Sequence, residues 1–350
     1  MDEDDILILK GNEINALLTG EEVALLRTVE LAYEAHAQGC SSLPHSTFLG
    51  FPADQKNRII ALPAYLGNEF GVAGMKWIAS FPGNFEKGLD RASAVVILNS
   101  PLTGRARSIM EGSIISAKRT AASAALAARC LQNGQKINNA GILGCGLINF
   151  EIVRFLRVVF PEMSGLTIYD IDSERANRFK KDCQAAFDGL AVAVVADIQT
   201  LLKKSSSLIS IATTATKPHI FDLSSLSRDG IILHVSLRDL SPEIILANNN
   251  IVDDIDHVCR AQTSVHLAEQ LVGNRDFIGG TLADVLRGAA PVRRDTDSIT
   301  IFSPFGLGIL DIAVAKLVYD LSLKQGLGTV IESFLPHLWQ KDVAVSLSAG

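Results

Sequence analysis

Residues 138–170 constrain the fold of this 350-residue chain more strongly than any other segment. A short apolar run at 140–143 ends in the turn Gly144-Cys145-Gly146, and residues 147–159 then show the apolar spacing of an amphipathic helix. A second apolar run, at 166–169, ends in an acidic residue, Asp170. The segment therefore predicts a strand, a glycine turn, a helix and a second strand that ends in a carboxylate.

This order of elements predicts a dinucleotide-binding site. Gly144 lets the chain turn tightly off the strand, and Gly146 lacks a Cβ, so that a pyrophosphate can approach the backbone. The N–H groups at the helix start, those of Leu147 and Ile148, and the helix dipole favour phosphate. Asp170 can accept hydrogen bonds from both ribose hydroxyls and would repel a 2′-phosphate, which favours NAD over NADP.

The context of the glycine pair makes the prediction specific, because such pairs alone mark many ordinary turns. Both strands, the helix and the spacing to the acid agree with dinucleotide binding. One position departs from the pattern: the third glycine is replaced by Asn149, where close packing of helix on sheet usually requires Gly or Ala. We therefore expect this helix to lie slightly further from the sheet.

Strand and helix patterns alternate after this segment and predict a parallel, doubly wound sheet, with strands at 191–195, 207–212, 231–235 and 299–302. Ligands of such sheets lie beyond the carboxyl ends of the strands. Thr213, Thr214 and Ser236 follow strand ends, so we expect them to contact the cofactor. Asp239 falls at the same rim, where it could serve as general acid or base or could cap the next helix.

The first part of the chain contains cations in otherwise apolar segments. Lys76 lies in the strand pattern at 71–81, where burial is costly without an anion, so it either extends to solvent or holds a ligand carboxylate. Lys118 and Arg119 lie near the start of a helix of small residues at 113–131. They predict either an anion site or a solvated face, and we expect Arg119 to be the less solvated. His36 is expected to be a packed or helix-terminal histidine and not a catalytic one.

Length and composition indicate two domains in an α/β protein. We expect a substrate-binding and dimerisation domain of α/β type at 1–128, completed by about 312–350, and a Rossmann-type NAD-binding domain at 129–311. A hydrophobic content of 48% and a mean hydropathy of +0.26 favour buried parallel strands and a subunit interface. The net charge of -6, without a basic block, argues against nucleic acid or anionic membrane as a partner.

The cysteines and acidic clusters predict no metal site. The five cysteines are scattered without a C-x-x-C motif, which is typical of reduced thiols in a cytoplasmic protein. The acidic start differs from a signal peptide, and no apolar run approaches the roughly 20 residues of a membrane span. Asp253, Asp254 and Asp256 lack the glycine spacing of a calcium loop, so a solvated turn is the expectation there.

Six motifs along nearly the whole chain resemble the ornithine cyclodeaminase and mu-crystallin family: RIIALPAYLG, GMKWIASFPGN, RASAVVILNSPLTG, EGSIISAKRTAASAALAARCL, GILGCGLI and SPFGLGILDIA. The block KRTAA at 118–122 and Lys76 are the most specific of these marks. Within the family the chain looks closest to the branch that oxidises N-((2S)-2-amino-2-carboxyethyl)-L-glutamate. The resemblance implies NAD-linked oxidation at the glutamate α-carbon, followed by hydrolysis of the ketimine to 2-oxoglutarate and L-2,3-diaminopropionate, for siderophores or nonribosomal peptides.

The resemblance also implies roles for individual residues. A substrate with three carboxylates needs several cations, so Lys76 and Arg119 are expected to converge on one pocket. The family's roles map as follows: Lys76 and Arg119 bind carboxylate, Asp239 is the catalytic aspartate, Asp170 binds ribose, Thr213 or Thr214 and Ser303 lie beside the cofactor, and Ser93 loosely matches a phosphate or substrate contact.

Two departures from the family pattern keep other functions open. The family's first-domain arginine is replaced by Gly50, so Arg58, Lys56 or His45 must supply that carboxylate contact. The segment after Asp239 is short and lacks the lysine of cyclodeaminases, which argues against ornithine as substrate. The alternatives are an ornithine cyclodeaminase, alanine dehydrogenase or ketimine reductase, or a nucleotide-dependent binding protein like mu-crystallin. Family members pair through the sheet of the first domain, which predicts a homodimer.

Overall fold

The computed structural model describes residues 2, 4–132, 134–205, 207–291 and 298–335. These residues divide into two compact units. Unit 1 takes its residues from Met1–Glu21, Cys40–Ser116 and Asp311–Gly350, and unit 2 from Glu22–Gly39 and Ala117–Leu310.

The described residues form strands and helices with the following bounds. The strands are β1 Ile6–Leu9, β2 Ser41–Ser42, β3 Thr47–Phe51, β4 Asp54–Leu66, β5 Val72–Ser80, β6 Ala92–Asn99, β7 Ala106–Glu111, β8 Asn139–Leu143, β9 Gly165–Tyr169, β10 Ala191–Val194, β11 Leu208–Ile211, β12 Ile231–His234, β13 Asn249–Val252, β14 Ile278–Thr281, β15 Thr300–Ser303 and β16 Thr329–Ile331. The α-helices are α1 Gly11–Leu18, α2 Glu22–Ala37, α3 Ser113–Leu131, α4 Leu147–Val159, α5 Ser173–Ala186, α6 Ile198–Lys204, α7 Pro242–Leu246, α8 Ile255–Val258, α9 Ser264–Val272, α10 Leu282–Leu286 and α11 Gly308–Gln325.

Unit 1 is built on a mixed sheet with the strand order β16-β1-β7-β6-β5-β4-β2, and β3 pairs with β4. Strands β4 to β7 are antiparallel neighbours. Their register aligns Leu62, Lys76, Val96 and Met110 in one row, and all four side chains are buried. Side chains alternate between the two faces along a strand, so the residues next to this row on each strand point to the opposite face. Trp77 is exposed on that face.

Unit 2 is built on a parallel sheet with the order β10-β9-β8-β11-β12-β15-β13-β14. Numbered along the chain from β8 as 1, the strands of this order read 3-2-1-4-5-8-6-7, and the first five of them follow the Rossmann arrangement. Strands β11, β12, β13 and β15 are buried at every position, as is typical of a parallel sheet covered on both faces. The predicted doubly wound parallel sheet is confirmed, and its order places the carboxyl ends of β8, β11, β12 and β15 side by side.

The division of the chain differs from the sequence prediction of a boundary at 128/129. The first unit gives way to the second at Ser116 and Ala117, inside the continuous helix α3, and residues 22–39 belong to unit 2. Helix α2 packs on this unit because Tyr33 bonds to Ser123 and Glu30 pairs with Arg129. The predicted boundary follows the point at which strand and helix patterns begin to alternate, and that alternation carries no information on such long-range contacts.

No helix in the described ranges combines the length and the apolarity that a membrane span needs. Across the same residues, no group of three His, Cys, Asp or Glu side chains is placed to hold a metal ion.

Candidate active site

The two glycines of the turn between β8 and α4 differ in backbone conformation and in the space around their Cβ positions. Gly144 has a φ of +90°, and a Cβ added there would lie 2.4 Å from the carbonyl oxygen of Ala212. Gly146 has a φ of -110°, and an added Cβ would meet no described atom within 4 Å. Gly144 is therefore required by the fold, whereas Gly146 leaves open space in front of the α4 N-terminus. This cradle fits a pyrophosphate, since no described side chain caps that helix end.

Asp170 lies directly after β9, beside the glycine turn. One of its carboxylate oxygens accepts the backbone N–H of Cys145 at 2.8 Å, and the other accepts that of Asp172 at 2.9 Å. A carboxylate has about four lone-pair sites, so Asp170 retains acceptors for the ribose hydroxyls of NAD. Burial and the neighbouring Asp170 charge raise the pKa of Cys145 to about 12, which keeps this thiol protonated beside the cradle.

Asn149 occupies the position that glycine holds in the usual dinucleotide pattern. Its side chain is fully buried, and its Nδ2 donates to the carbonyl oxygens of Leu143 at 2.9 Å and Gly144 at 2.6 Å. Its Oδ1 accepts a hydrogen bond from Ser210 at 2.7 Å. Asn149 thus ties α4 to the ends of β8 and β11 by hydrogen bonds, in place of the close backbone contact that glycine provides.

Asp239 lies five residues beyond β12 and is completely buried. The hydroxyls of Thr213 and Ser236 donate to its two carboxylate oxygens. Burial opposes ionisation of this carboxyl, but hydrogen bonds from His234, Ser236 and Thr213 outweigh burial and hold its pKa well below the ordinary value. Asp239 is therefore a carboxylate at neutral pH.

Two histidines that the sequence interpretation missed contact this carboxylate. His219 Nε2 lies 3.1 Å from Oδ1, and its side chain is 36% exposed, so it connects the buried acid to solvent. His234 Nε2 lies 3.3 Å from Oδ2, and its Nδ1 lies 3.4 Å from the hydroxyl of Ser303. A histidine that ends a buried strand was the available signal for His234. The loop position of His219 gave no comparable signal.

The loop after β15 is held by a buried acid. Asp253 accepts the backbone N–H groups of Phe305 at 2.8 Å and Gly306 at 2.7 Å. Gly306 has a φ of +94°, and an added Cβ would lie 3.0 Å from a terminal nitrogen of Arg119, so glycine allows the loop to lie against this buried guanidinium. The expected solvated turn at Asp253 is therefore wrong. Asp254 also has a structural role, because it caps α8 and pairs with His36.

Lys76 is buried inside unit 1, so the alternative in which it extends to solvent is wrong. Its Nζ lies 2.8 Å from a carboxylate oxygen of Asp311 and 3.0 Å from the hydroxyl of Ser116. In unit 2, Lys118 and Arg119 are both buried, and Lys118 pairs with Glu151 at 3.3 Å. The predicted solvated helix face is thus wrong for both residues. For Lys118 the reason is that its partner, Glu151, lies 33 positions away in the chain, where a local pattern does not reveal it.

The remaining predicted residues lie at various depths. Arg58 on β4 is half-buried and pairs in register with Gly50 on β3, the position of the missing family arginine. His45 and Thr214 are exposed. Ser93 is exposed on β6 opposite Ala79, on the face opposite to Lys76, so its loose match to a ligand contact stays a prediction.

The comparison with known families decides the relationship of this chain. The model of the ornithine cyclodeaminase/mu-crystallin family matches residues 7–326. The chain belongs to this family. The predicted family and the predicted Rossmann-type fold are thereby confirmed.

Individual members of the ornithine cyclodeaminase/mu-crystallin family resemble the chain along almost its whole length. It is 29% identical over 339 residues to the N-((2S)-2-amino-2-carboxyethyl)-L-glutamate dehydrogenase of Staphylococcus aureus, with 94% of this chain and 99% of the relative covered. A dimeric archaeal alanine dehydrogenase with bound NAD superimposes with a TM-score of 0.82, at 28% identity and 94% and 99% coverage. The Δ1-pyrroline-2-carboxylate reductase of Thermococcus litoralis, in complex with NADH and L-proline, gives 0.84, at 25% identity and 93% and 99% coverage.

Proposed function

We propose that this protein is an NAD-dependent dehydrogenase that converts N-((2S)-2-amino-2-carboxyethyl)-L-glutamate and water into 2-oxoglutarate and L-2,3-diaminopropionate. The observation that carries the proposal is Asp239, a buried carboxylate held ionised by hydroxyl and imidazole groups at the carboxyl edge of a Rossmann sheet. Such an acid beside a dinucleotide cradle suits proton transfer during oxidation of an amine.

The cofactor is NAD, in agreement with the solved relatives that carry NAD or NADH. The cradle of Gly144, Gly146 and the first residues of α4, Leu147 and Ile148, is proposed to hold the pyrophosphate, and Asp170 the ribose. When bound, NAD supplies the acceptor for the hydride that leaves the glutamate α-carbon. Every other group that the reaction requires is proposed to come from side chains of this chain and from water.

Asp239 and His219 are proposed to manage the protons. The C–H bond at the glutamate α-carbon breaks with its electron pair, the amine nitrogen loses a proton to Asp239, and a C=N bond forms. Water then adds to this carbon, the C–N bond breaks as the C=O bond of 2-oxoglutarate forms, and the two protons of the water pass to the nitrogen of the departing diaminopropionate. An acid with such a low pKa is a weak base, so the exposed His219 at 3.1 Å is suited to pass each proton to solvent.

The cations of this chain support the tricarboxylate amine over the smaller substrates of other family members. The amine has three carboxylates, and Lys76, Arg119 and Arg58 are the cations proposed to bind them. The alternative is a smaller amino acid, as in alanine dehydrogenase, and Gly50 favours it because one family cation is missing. A binding role like that of mu-crystallin is the remaining alternative.

A homodimer formed through the unit 1 sheet, a cytoplasmic location and a place in siderophore or nonribosomal peptide synthesis belong to the same proposal. The archaeal alanine dehydrogenase is a dimer, which supports the first of these. The five scattered cysteines support the second.

A panel of amines tests the proposed substrate. Purified protein with NAD is given N-((2S)-2-amino-2-carboxyethyl)-L-glutamate, L-alanine, L-ornithine or L-proline, and absorbance at 340 nm is followed. We expect NADH from the first amine at a kcat/KM at least about a hundredfold above the others, as the loss of one or two buried ion contacts would cause. Equal or higher activity with L-alanine would assign the protein to the alternative. Tight NAD binding without any turnover would favour a binding role.

A further inference from the structure

Two arginines lie at one end of the unit 1 sheet, and one of them, Arg91, has no role in the reaction described so far. Arg58 on β4 pairs in register with Ser80 on β5, and Ser80 pairs with Ala92 on β6. Arg91 immediately precedes Ala92, and its carbonyl oxygen accepts the backbone N–H of Phe81. The two arginines thus flank the end of β5, with backbones about 10 Å apart.

Neither arginine is neutralised by the described part of the protein. The Nε atoms of both side chains are buried without a hydrogen-bond partner, and no described acid lies within 4 Å of either guanidinium. Burial lowers the pKa of Arg58, and burial together with the nearby Arg58 charge lowers that of Arg91. Two adjacent, partly desolvated cations destabilise a fold unless an anion compensates them. This cost points to an anionic ligand.

The surroundings of the pair leave space for such a ligand. Gly50 lies opposite Arg58, and a Cβ added to it would meet no described atom within 4 Å. The rings of Phe51 and Phe81 pack with their centres 5.4 Å apart at the same end of the sheet. An apolar wall strengthens ionic hydrogen bonds nearby, and the planar fork of arginine matches a carboxylate.

The register relates Arg58 to Lys76, whereas Arg91 precedes β6 and has no register position of its own. Lys76 and Ser80 lie four residues apart on β5 and therefore point to the same face, which Arg58 shares with Ser80. The rise between Lys76 and Ser80 is about 13 Å. Long cationic side chains at the two ends of this distance can contact the separated carboxylates of one extended molecule.

We propose that Arg58 and Arg91 bind a second carboxylate of the substrate and thereby select amines with several carboxylates over alanine-like amines. The identity of that substrate rests on the function proposed above, whereas the pair itself requires only a second carboxylate. In this assignment Arg58 replaces the family arginine that is absent at Gly50, and Arg91 completes the site.

A binding measurement without turnover tests the pair. The probes are 2-oxoglutarate and 2-oxovalerate, which differ by a carboxylate in place of a methyl group, titrated by calorimetry into the full chain with saturating NADH. We expect the wild type to prefer 2-oxoglutarate by at least about tenfold, the effect of one charged hydrogen-bonded contact. R58Q and R91Q should each reduce this preference to about twofold or less without changing the affinity for 2-oxovalerate. K87Q removes an exposed cation four residues from Arg91 and should keep the preference.

The outcomes separate this inference from the proposed function. A wild type that prefers 2-oxoglutarate but does not oxidise the tricarboxylate amine would leave the pair in place and refute the substrate. No preference in the wild type, including binding of neither acid, would overturn the pair, as would a preference that R58Q and R91Q retain. R58K and R91K keep the charge, so they still test the proposal if a glutamine variant fails to fold. They should show an intermediate preference, and an unchanged preference in both would also overturn the proposal.

Discussion

Asp239 shows how single side chains create the chemistry of this protein. An isolated buried carboxyl would become neutral, because burial disfavours its charge. Here Thr213, Ser236, His219 and His234 surround it, and the hydrogen bonds from His234, Ser236 and Thr213 keep it ionised. The hydroxyls predicted as cofactor contacts, Thr213 and Ser236, therefore have another task in the structure, which is to hold this acid.

Replacement of the acid should remove turnover without removing the cofactor. We expect D239N to lower kcat by about 10²-fold to 10⁴-fold, the usual contribution of a general acid or base, with NAD affinity unchanged. H219Q should cause a smaller loss, since Thr213 and Ser236 still hold Asp239. D222N changes an exposed acid of the same unit and serves as the control. A D239N enzyme with wild-type kcat would contradict the proposed role.

The environment of Asp254 makes stability depend on acid. Burial disfavours its charge, but bonds from His257 and His36 outweigh burial and lower its pKa in the folded protein. The unfolded value is about 4, so this stabilisation is complete above pH 4 and is lost as pH falls below it. D254N should reduce the free energy of unfolding by about 1 to 2 kcal/mol at pH 7.

Urea unfolding at several pH values measures this effect. The difference between D254N and wild type should shrink between pH 4.5 and pH 2.5, because the Asp254 carboxyl of the unfolded chain takes up a proton there while the folded protein still holds it ionised. D256N is the matched control, since Asp256 is largely exposed and pairs with Arg275 at the surface. A D254N protein that loses stability with acid as steeply as the wild type would refute the assignment.

Substitutions at the two glycines of the β8-α4-β9 segment distinguish what the fold requires from what the ligand requires. G144A forces a Cβ against the carbonyl oxygen of Ala212 at a φ of +90°, so we expect a lower melting temperature as well as lost NAD binding. G146A meets open space, so its melting temperature should match the wild type. Its NAD affinity should nevertheless fall by about tenfold or more, because the methyl group occupies the space proposed for the pyrophosphate.

Thermal melting with and without NAD distinguishes the two effects. Stabilisation by ligand follows affinity, so G146A should lose most of the NAD-induced shift while keeping the melting temperature of the free protein. G83A is a control, because Gly83 also has open space around its Cβ position but lies outside the cradle. A G146A protein that binds NAD like the wild type would place the pyrophosphate elsewhere.

Elements whose signal is local could be predicted from the sequence, and those that depend on distant partners could not. The periodicity of α3 and the order β8-α4-β9 are complete within short windows, and the structure reproduces them. Strand β7 and helix α1 were missed, since their patterns extend over only six and eight residues. The burial of Lys118 and the grouping of His219 and His234 around Asp239 depend on contacts between residues far apart in the chain, which local patterns do not encode.

The face of the unit 1 sheet that carries Trp77 supports association of the whole molecule with a second copy. Tyr65, Trp77 and Val95 are each about 40% exposed on this face, an arrangement of apolar side chains that suits a subunit interface. Light scattering at micromolar concentration should give about twice the chain mass of 37.5 kDa. The double variant W77K/V95K should give a monomer.

A matched variant controls for the added charge. Val23 is 70% exposed on α2 of unit 2, so V23K should leave the dimer intact. A wild-type protein that is monomeric at micromolar concentration would refute the dimer, and a dimer that survives W77K/V95K would place the interface on another surface.

The transfer of label from a deuterated substrate tests the central claim most directly. N-((2S)-2-amino-2-carboxyethyl)-L-glutamate with deuterium at the glutamate α-carbon is incubated with the protein and NAD, and the products are analysed by mass spectrometry. The proposed reaction predicts deuterium in the reduced cofactor and equal amounts of reduced cofactor, 2-oxoglutarate and L-2,3-diaminopropionate. Reduced cofactor without deuterium, or 2-oxoglutarate formed without reduced cofactor, would contradict oxidation at this carbon.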